Sequence, residues 1–154
     1  MASFVVLMLS GGYAPCLPCW PITKIKPQGK VDGFDTDDLI VFVERDDTKE
    51  QRKLLGQVKH EIAFTRGNKE LPEVFKAAWN DFNNPKKFRQ SKDVIALITG
   101  PLSKTDFHNV HWLLNQARHT KDADEFYTRS CSFSYLTEFK RNYRAKVTFE
   151  YSTK

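Results

Sequence analysis

Two short apolar runs, Leu39-Ile40-Val41-Phe42-Val43 and Leu54-Leu55-Gly56-Gln57-Val58, flank a charged connector at residues 45–53. Their length and β-branched content predict a β-hairpin whose first strand closes at Glu44 and whose second closes at His60. A third run, residues 93–99, is continuous in apolar character, the pattern of a strand buried on both faces in a parallel arrangement. Between the hairpin and this strand, Val74, Phe75, Ala78 and Phe82, with Trp79 beside them, recur at helical spacing after Pro72 and before Asn83-Asn84-Pro85. That face is expected to be core.

Beyond Gly100-Pro101, Ser103 and Asp106 stand at capping-box spacing. The helix they open carries Phe107, Val110, Leu113, Leu114 and Ala117 as its expected buried side. Residues 122–129 predict one more short helix. The first 29 residues are broken by Gly11-Gly12 and by Pro15, Pro18, Pro21 and Pro27, leaving a short edge strand at residues 22–26 as the clearest element. Residues 4–9 are apolar and read as a short buried strand or helix. Strand, helix, strand in this order places the chain in the α/β class, with a small mixed sheet flanked by helices.

Chemistry gathers at the hairpin. Asp38 lies at the mouth of the first strand, while Gln57 and Lys59, two apart on the second, share a face by alternation. A carboxylate and an amide oxygen are hard ligands suited to Mg²⁺, and a neighbouring ammonium can hold a water or offset charge on a phosphate. Asp32, Asp35, Asp37 and Asp38 crowd seven residues and repel one another unless solvated or bound to a cation. Asp38 shares alternation with Ile40 and Phe42 and is the first choice of ligand; Asp37 is the alternative, since the hairpin register decides which of them faces Gln57.

The acid, the hairpin and the Gln-x-Lys motif resemble the PD-(D/E)xK nuclease superfamily, in the variant with Gln at the second acidic position. The stretches VDGFD, DDLIVFVE, GQVKH, AAWNDFNN, DVIALITGPLSKTD and LLNQARHTKDADEF more closely resemble the double-stranded-DNA endonuclease domain of bacterial antiphage systems. That domain accompanies CD-NTases as an effector and stands at the N-terminus of STAND NTPases of the AVAST type.

The likeness runs from about residue 31 to residue 130. It leaves residues 1–30 as a divergent or truncated segment and residues 131–154 as a basic, aromatic tail with a possible edge strand. It implies a restriction-endonuclease-like three-layer core and Mg²⁺ (or Mn²⁺) held by Asp38, Gln57 and the backbone carbonyl of Val58. Lys59 would act on the attacking water and the scissile phosphate, and His60, on the opposite face, would be structural. It also implies a sensor module, fused or associated, or self-assembly that brings nuclease subunits together. Members usually begin with a helix, often carrying an acid, that packs beside the first strand; this chain has no convincing version of it.

Composition adds little that is specific. A chain of 154 residues with 24 Lys and Arg against 19 Asp and Glu suits one modestly basic domain, which permits a polyanionic partner without requiring one. Lys86, Lys87 and Arg89 form one basic patch, and Lys140, Arg141 and Arg144 form another among aromatics; both are candidate DNA contacts. Solvated charge explains either patch equally well. Three cysteines make no disulfide framework and fit a reducing compartment such as the cytoplasm. Cys16 and Cys19 have metal-ligand spacing, yet no second pair follows to complete a zinc site.

No run is long enough for a membrane span. The turn at residues 100–105 lacks the second glycine of a phosphate-binding loop, so it reads as a helix cap rather than a nucleotide site. Two readings follow: a metal-dependent DNA endonuclease domain, or a catalytically incomplete nuclease-fold module for DNA binding or assembly.

Overall fold

In a computed structural model, residues 2–62, 64 and 68–131 are described. They form α1 (Ala2–Leu9), β1 (Ile22–Pro27), β2 (Leu39–Glu44), β3 (Gln51–Lys59), α2 (Glu70–Phe82), β4 (Val94–Thr99), α3 (Lys104–Arg118) and α4 (Ala123–Cys131). The chain divides into two compact units: residues 1–62 with 69–100, and residues 63–68 with 101–154.

The first unit is a small mixed four-stranded sheet with flanking helices. Its strands lie in the order β1-β2-β3-β4, the first three antiparallel and β4 parallel to β3. A parallel neighbour requires a crossover, and α2 supplies it.

Alternation along the strands builds two cores. Leu39, Val41, Val43 and Leu54 pack on one face with Val94, Ala96 and Ile98, under Phe4 and Leu7 of α1 and Trp20 of the following loop. Ile40 and Leu55 are fully buried on the other face, with Phe42, Ile95, Phe34 and Phe88. A register shift between Ile22 and Lys24 lets Ile22 and Ile25, three residues apart, meet the same core. Both strands of the hairpin are therefore apolar on each side at their centre, which explains the unbroken hydrophobic runs there.

Several expectations change. β3 begins at Gln51, inside the charged connector, because Gln51, Arg52 and Lys53 pair with Glu44, Val43 and Phe42. Ladder hydrogen bonds do not require apolar side chains. The long stems of these residues also cover aromatic rings: the Arg52 guanidinium lies 5.0 Å from the Trp20 ring centre and the Lys53 ammonium 5.2 Å from that of Phe34.

A helix does open the chain, and α1 has no acid in it. β4 is one of the two outer strands, and each of its residues is only half-buried. On α2 the buried line is Leu71, Val74 and Asp81, whereas Phe75, Trp79 and Phe82 are 49%, 51% and 38% exposed. Two helical lines, offset by one residue, compete in that sequence, and the one carrying the aromatics is not the one turned inward.

In the second unit, α3 and α4 pack together. Ser103 caps α3 as expected: its hydroxyl accepts from the Asp106 N–H at 3.1 Å and donates to the Asp106 carboxylate at 2.8 Å. Asp is too short to reach back as Glu does in a full capping box, so the side chains bond to each other. None of the α3 residues is fully buried, and Phe107 and Leu114 are more than half exposed. Of the expected inward face, Val110 and Leu113 are half-buried and Phe107, Leu114 and Ala117 are exposed. Asp122 accepts from the Glu125 N–H at 2.8 Å and so opens α4 where the spacing predicted it.

Among the described residues no helix is long and apolar enough to cross a membrane.

Candidate metal and phosphate site

The hairpin register settles which acid faces the Gln-x-Lys strand. Leu39 pairs with Gly56, so the next step outward sets Asp38 beside Gln57. The Asp38 Oδ2 accepts the Val58 backbone N–H at 2.7 Å and also a short hydrogen bond from the Gln57 Nε2. Asp38 follows the alternation of Ile40, and Gln57 and Lys59 follow that of Leu55, so the three side chains belong to one sheet face. All three are half-buried. Asp37 is tied differently, its backbone carbonyl accepting from the Gly29 N–H.

β2 ends before Val58 is reached, which leaves Val58 without a strand partner on that side. Its N–H turns to the Asp38 carboxylate instead. In a strand, the N–H and C=O of one residue lie on the same side, so the Val58 carbonyl also points past the end of β2. On the other side, Gln57, Val58 and Lys59 pair with Leu97, Ile98 and Thr99 of β4, which stiffens the strand that carries them.

The crowd of acids resolves into two kinds. Asp32 is ion-paired with Lys26 at 2.9 Å, and the Asp35 carboxylate accepts from the Asn80 Nδ2 at 2.7 Å. Neither is turned over to the hairpin mouth. Asp38 keeps its second oxygen, Oδ1, without a hydrogen-bond partner among the described residues, and no ion pair engages the Lys59 ammonium among them.

The donor set suits a hard cation: one carboxylate oxygen, one amide oxygen and one carbonyl oxygen. As it stands, the Gln57 amide turns its nitrogen toward Asp38, so holding a cation would require its oxygen to turn inward instead. Nitrogen and oxygen of an amide exchange places by a simple flip, and the hydrogen-bond network decides between them. Among the described residues no group of three or more His, Cys, Asp or Glu side chains could hold a metal. A single acid assisted by neutral oxygens lies outside such a set. Cys16 and Cys19 are exposed and unpaired, on the loop between α1 and β1.

The first basic patch is largely committed to the fold. Lys87 donates to the Gly33 carbonyl and lies 5.7 Å from the Phe34 ring centre. Arg89 donates to Asp93 and to the Gln51 carbonyl. Lys86 is exposed. The second patch, Lys140, Arg141 and Arg144, lies outside the described residues. His60 is exposed just past β3, and its carbonyl sits where a side chain on Gly100 would have to go. Glycine at the end of β4 is thus required for backbone passage, in keeping with its reading as a turn rather than a phosphate loop.

Two buried acids escaped the sequence reading. Asp81 accepts from the backbone N–H groups of Asp35 at 3.1 Å and Thr36 at 2.6 Å. Asp93 has a fully buried side chain and accepts from the Lys53 and Arg89 N–H groups at 3.2 and 2.9 Å and from the Arg89 guanidinium. Burial alone would raise the Asp93 pKa, but hydrogen bonds from Arg89 and the Lys53 charge outweigh it and hold the carboxyl below its usual range. Burial also depresses Lys53, against the pull of Asp93. An acid at the exit of a helix and one before a strand have no periodic signature; only the backbone donors they meet reveal them.

Comparison with protein-family models, with curated proteins and with solved structures returned no match.

Proposed function

We propose that this chain is a Mg²⁺- or Mn²⁺-dependent endonuclease domain of the PD-(D/E)xK type that cleaves double-stranded DNA, as the effector part of a bacterial antiphage defence protein. The observation that carries the reading is the meeting of Asp38, Gln57 and Lys59 on one face at one end of the sheet. A helix packed beside a small mixed sheet, with a crossover helix before a parallel strand, supports the restriction-endonuclease-like core.

In this mechanism Asp38, Gln57 and the Val58 carbonyl would hold the cation, with Asp38 the only formal charge among them. The cation supplies Lewis acidity at the phosphodiester and lowers the pKa of water. Lys59, on the same face, orients the attacking water and offsets the negative charge that grows on the phosphate as the P–O bond to the leaving oxygen breaks. A neutral amide in place of a second acid would weaken cation binding and leave part of the coordination to DNA phosphate oxygens. β4 pairing holds Gln57 and Lys59 in register, which limits the reorganisation required during the reaction.

The test is plasmid cleavage with Mg²⁺. The parent should nick or linearise supercoiled DNA, and Asp38→Asn and Lys59→Ala should each slow it by about 100-fold or more. Cleavage that persists at the parental rate in both variants rejects the site. The absence of an acid on α1 favours a second reading, a catalytically incomplete module for DNA binding or assembly. DNA retention without cleavage, with either metal and at high protein concentration, would support that reading instead.

A further inference from the structure

We infer that Asp81 is a positioning residue for the cation site, acting through the loop that delivers Asp38. The inference rests on reading Asp38 as a cation ligand. Residues 33–38 have no regular secondary structure, and Gly33 at their start adopts a positive φ of 78°. Left to itself, such a segment would sample many conformations, and binding a cation through Asp38 would have to select one.

The structure restrains this loop from several directions. Asp81, 3% exposed near the C-terminal end of α2, takes the N–H groups of Asp35 and Thr36, one on each carboxylate oxygen. Asn80, its neighbour on the helix, donates to the Asp35 carboxylate at 2.7 Å. Lys87 holds the Gly33 carbonyl, and the Asp37 carbonyl accepts from Gly29. Thr36 is itself buried, two residues before the acid whose carboxylate is fixed by Val58. The path to Asp38 is thus pinned at Thr36 and again at its own side chain.

A carboxylate suits this task better than an amide. Two consecutive N–H groups present a concave donor pair that an anion satisfies with both oxygens, whereas Asn has one acceptor oxygen and a nitrogen that would face a donor. Asp81 also draws two donors out of the acidic turn while remaining away from the ligand set itself. Its effect on the cation is indirect, by preorganising the ligand.

Titration of the full chain with Mn²⁺, followed by loss of the free-ion electron paramagnetic resonance signal, tests this directly. The parent should bind Mn²⁺, Asp38→Asn should abolish binding, and Asp81→Asn should weaken it about tenfold, the scale of outer-shell effects. In plasmid cleavage, Asp81→Asn should need about tenfold more Mg²⁺ for half-maximal rate yet regain the parental maximum. Asp38→Asn should not recover at any concentration. A merely structural role would lower the maximum in proportion to the folded fraction and leave the metal dependence alone.

Parental Mn²⁺ affinity in a folded Asp81→Asn variant would overturn the positioning role while leaving the site reading intact, provided Asp38→Asn still loses the ion. A parent that binds no Mn²⁺, or an Asp38→Asn variant indistinguishable from it, overturns both. Should Asp81→Asn fail to fold, Asn80→Ala decides: a two- to threefold weakening, estimated as roughly a fraction of the outer-shell scale, supports the role, and parental affinity rejects it.

Discussion

The two ends of the β3–β4 pair use similar residues to opposite effect. Near the start of β3, Asp93 and Lys53 meet beside Arg89, and each oxygen of Asp93 is engaged; its side chain has no exposed surface. Near the end of β3, Asp38 spends one oxygen on two donors and leaves the other without a hydrogen-bond partner among the described residues, with Lys59 on the same face. Six residues of extended strand, about 20 Å, separate Lys53 from Lys59. The closed end holds the fold together. The open end leaves a carboxylate oxygen and an ammonium on one face of the sheet, the pair on which the proposed function rests.

If that contrast is right, replacing the acid at each end must have unequal consequences for stability. Asp93→Ala leaves the Lys53 and Arg89 backbone N–H groups without their acceptor and removes the ion pairs to Arg89 and Lys53, and should cost about 3–5 kcal/mol in chemical denaturation. A loss below about 1 kcal/mol would mean that the closed end is not the structural one.

Acid should act at the same place. Asp93 has a folded pKa below its usual value of 3.8, so its contribution is fully present above that value and is lost as pH falls through the lower folded value. The unfolding midpoint of the parent should therefore drop steeply below about pH 4, and Asp93→Ala should lack the part of that drop due to this carboxylate. An identical pH profile in the two proteins would contradict the assignment.

At the open end the effects should shrink. Asp38→Asn retains an oxygen to accept the Val58 N–H, so without divalent metal it should cost only about 1 kcal/mol or less. Adding Mg²⁺ should raise the unfolding midpoint of the parent and not of this variant. Lys59→Ala, with no ion pair among the described residues to lose, should stay within about 0.5 kcal/mol of the parent while removing cleavage. A large stability loss in Lys59→Ala would place that lysine with the structural residues of the other end.

Much of the first unit was legible because its elements are short and strongly patterned. The limits of β2 follow from an unbroken β-branched run; in the second unit the Ser103 cap follows from spacing alone. The start of β3 was hidden because polar residues with long stems occupy its first three positions and cover rings on neighbouring segments. The inward face of α2 was misjudged because Phe75, Trp79 and Phe82 outweigh Leu71 and Val74 in hydrophobicity, while a carboxylate, Asp81, shares the buried line. Lys87 and Arg89 read as a cationic surface, yet their charges are used on Gly33, Asp93 and Gln51.

The candidate site was legible as an inventory and not as a geometry. Local periodicity is enough to place Gln57 and Lys59 together, since a strand alternates its side chains whatever surrounds it. The choice of Asp38 over Asp37, the diversion of Asp32 and Asp35 to Lys26 and Asn80, and the tether from Asp81 all depend on residues between 6 and 46 positions away in the chain. Such pairings are decided when the sheet register and the helix packing close together. The amino-acid order by itself therefore determined which groups were available, through repeating backbone geometry; only the tertiary structure decided which were consumed by the fold and which were left open, because a buried donor or acceptor must be satisfied by whatever folding brings beside it.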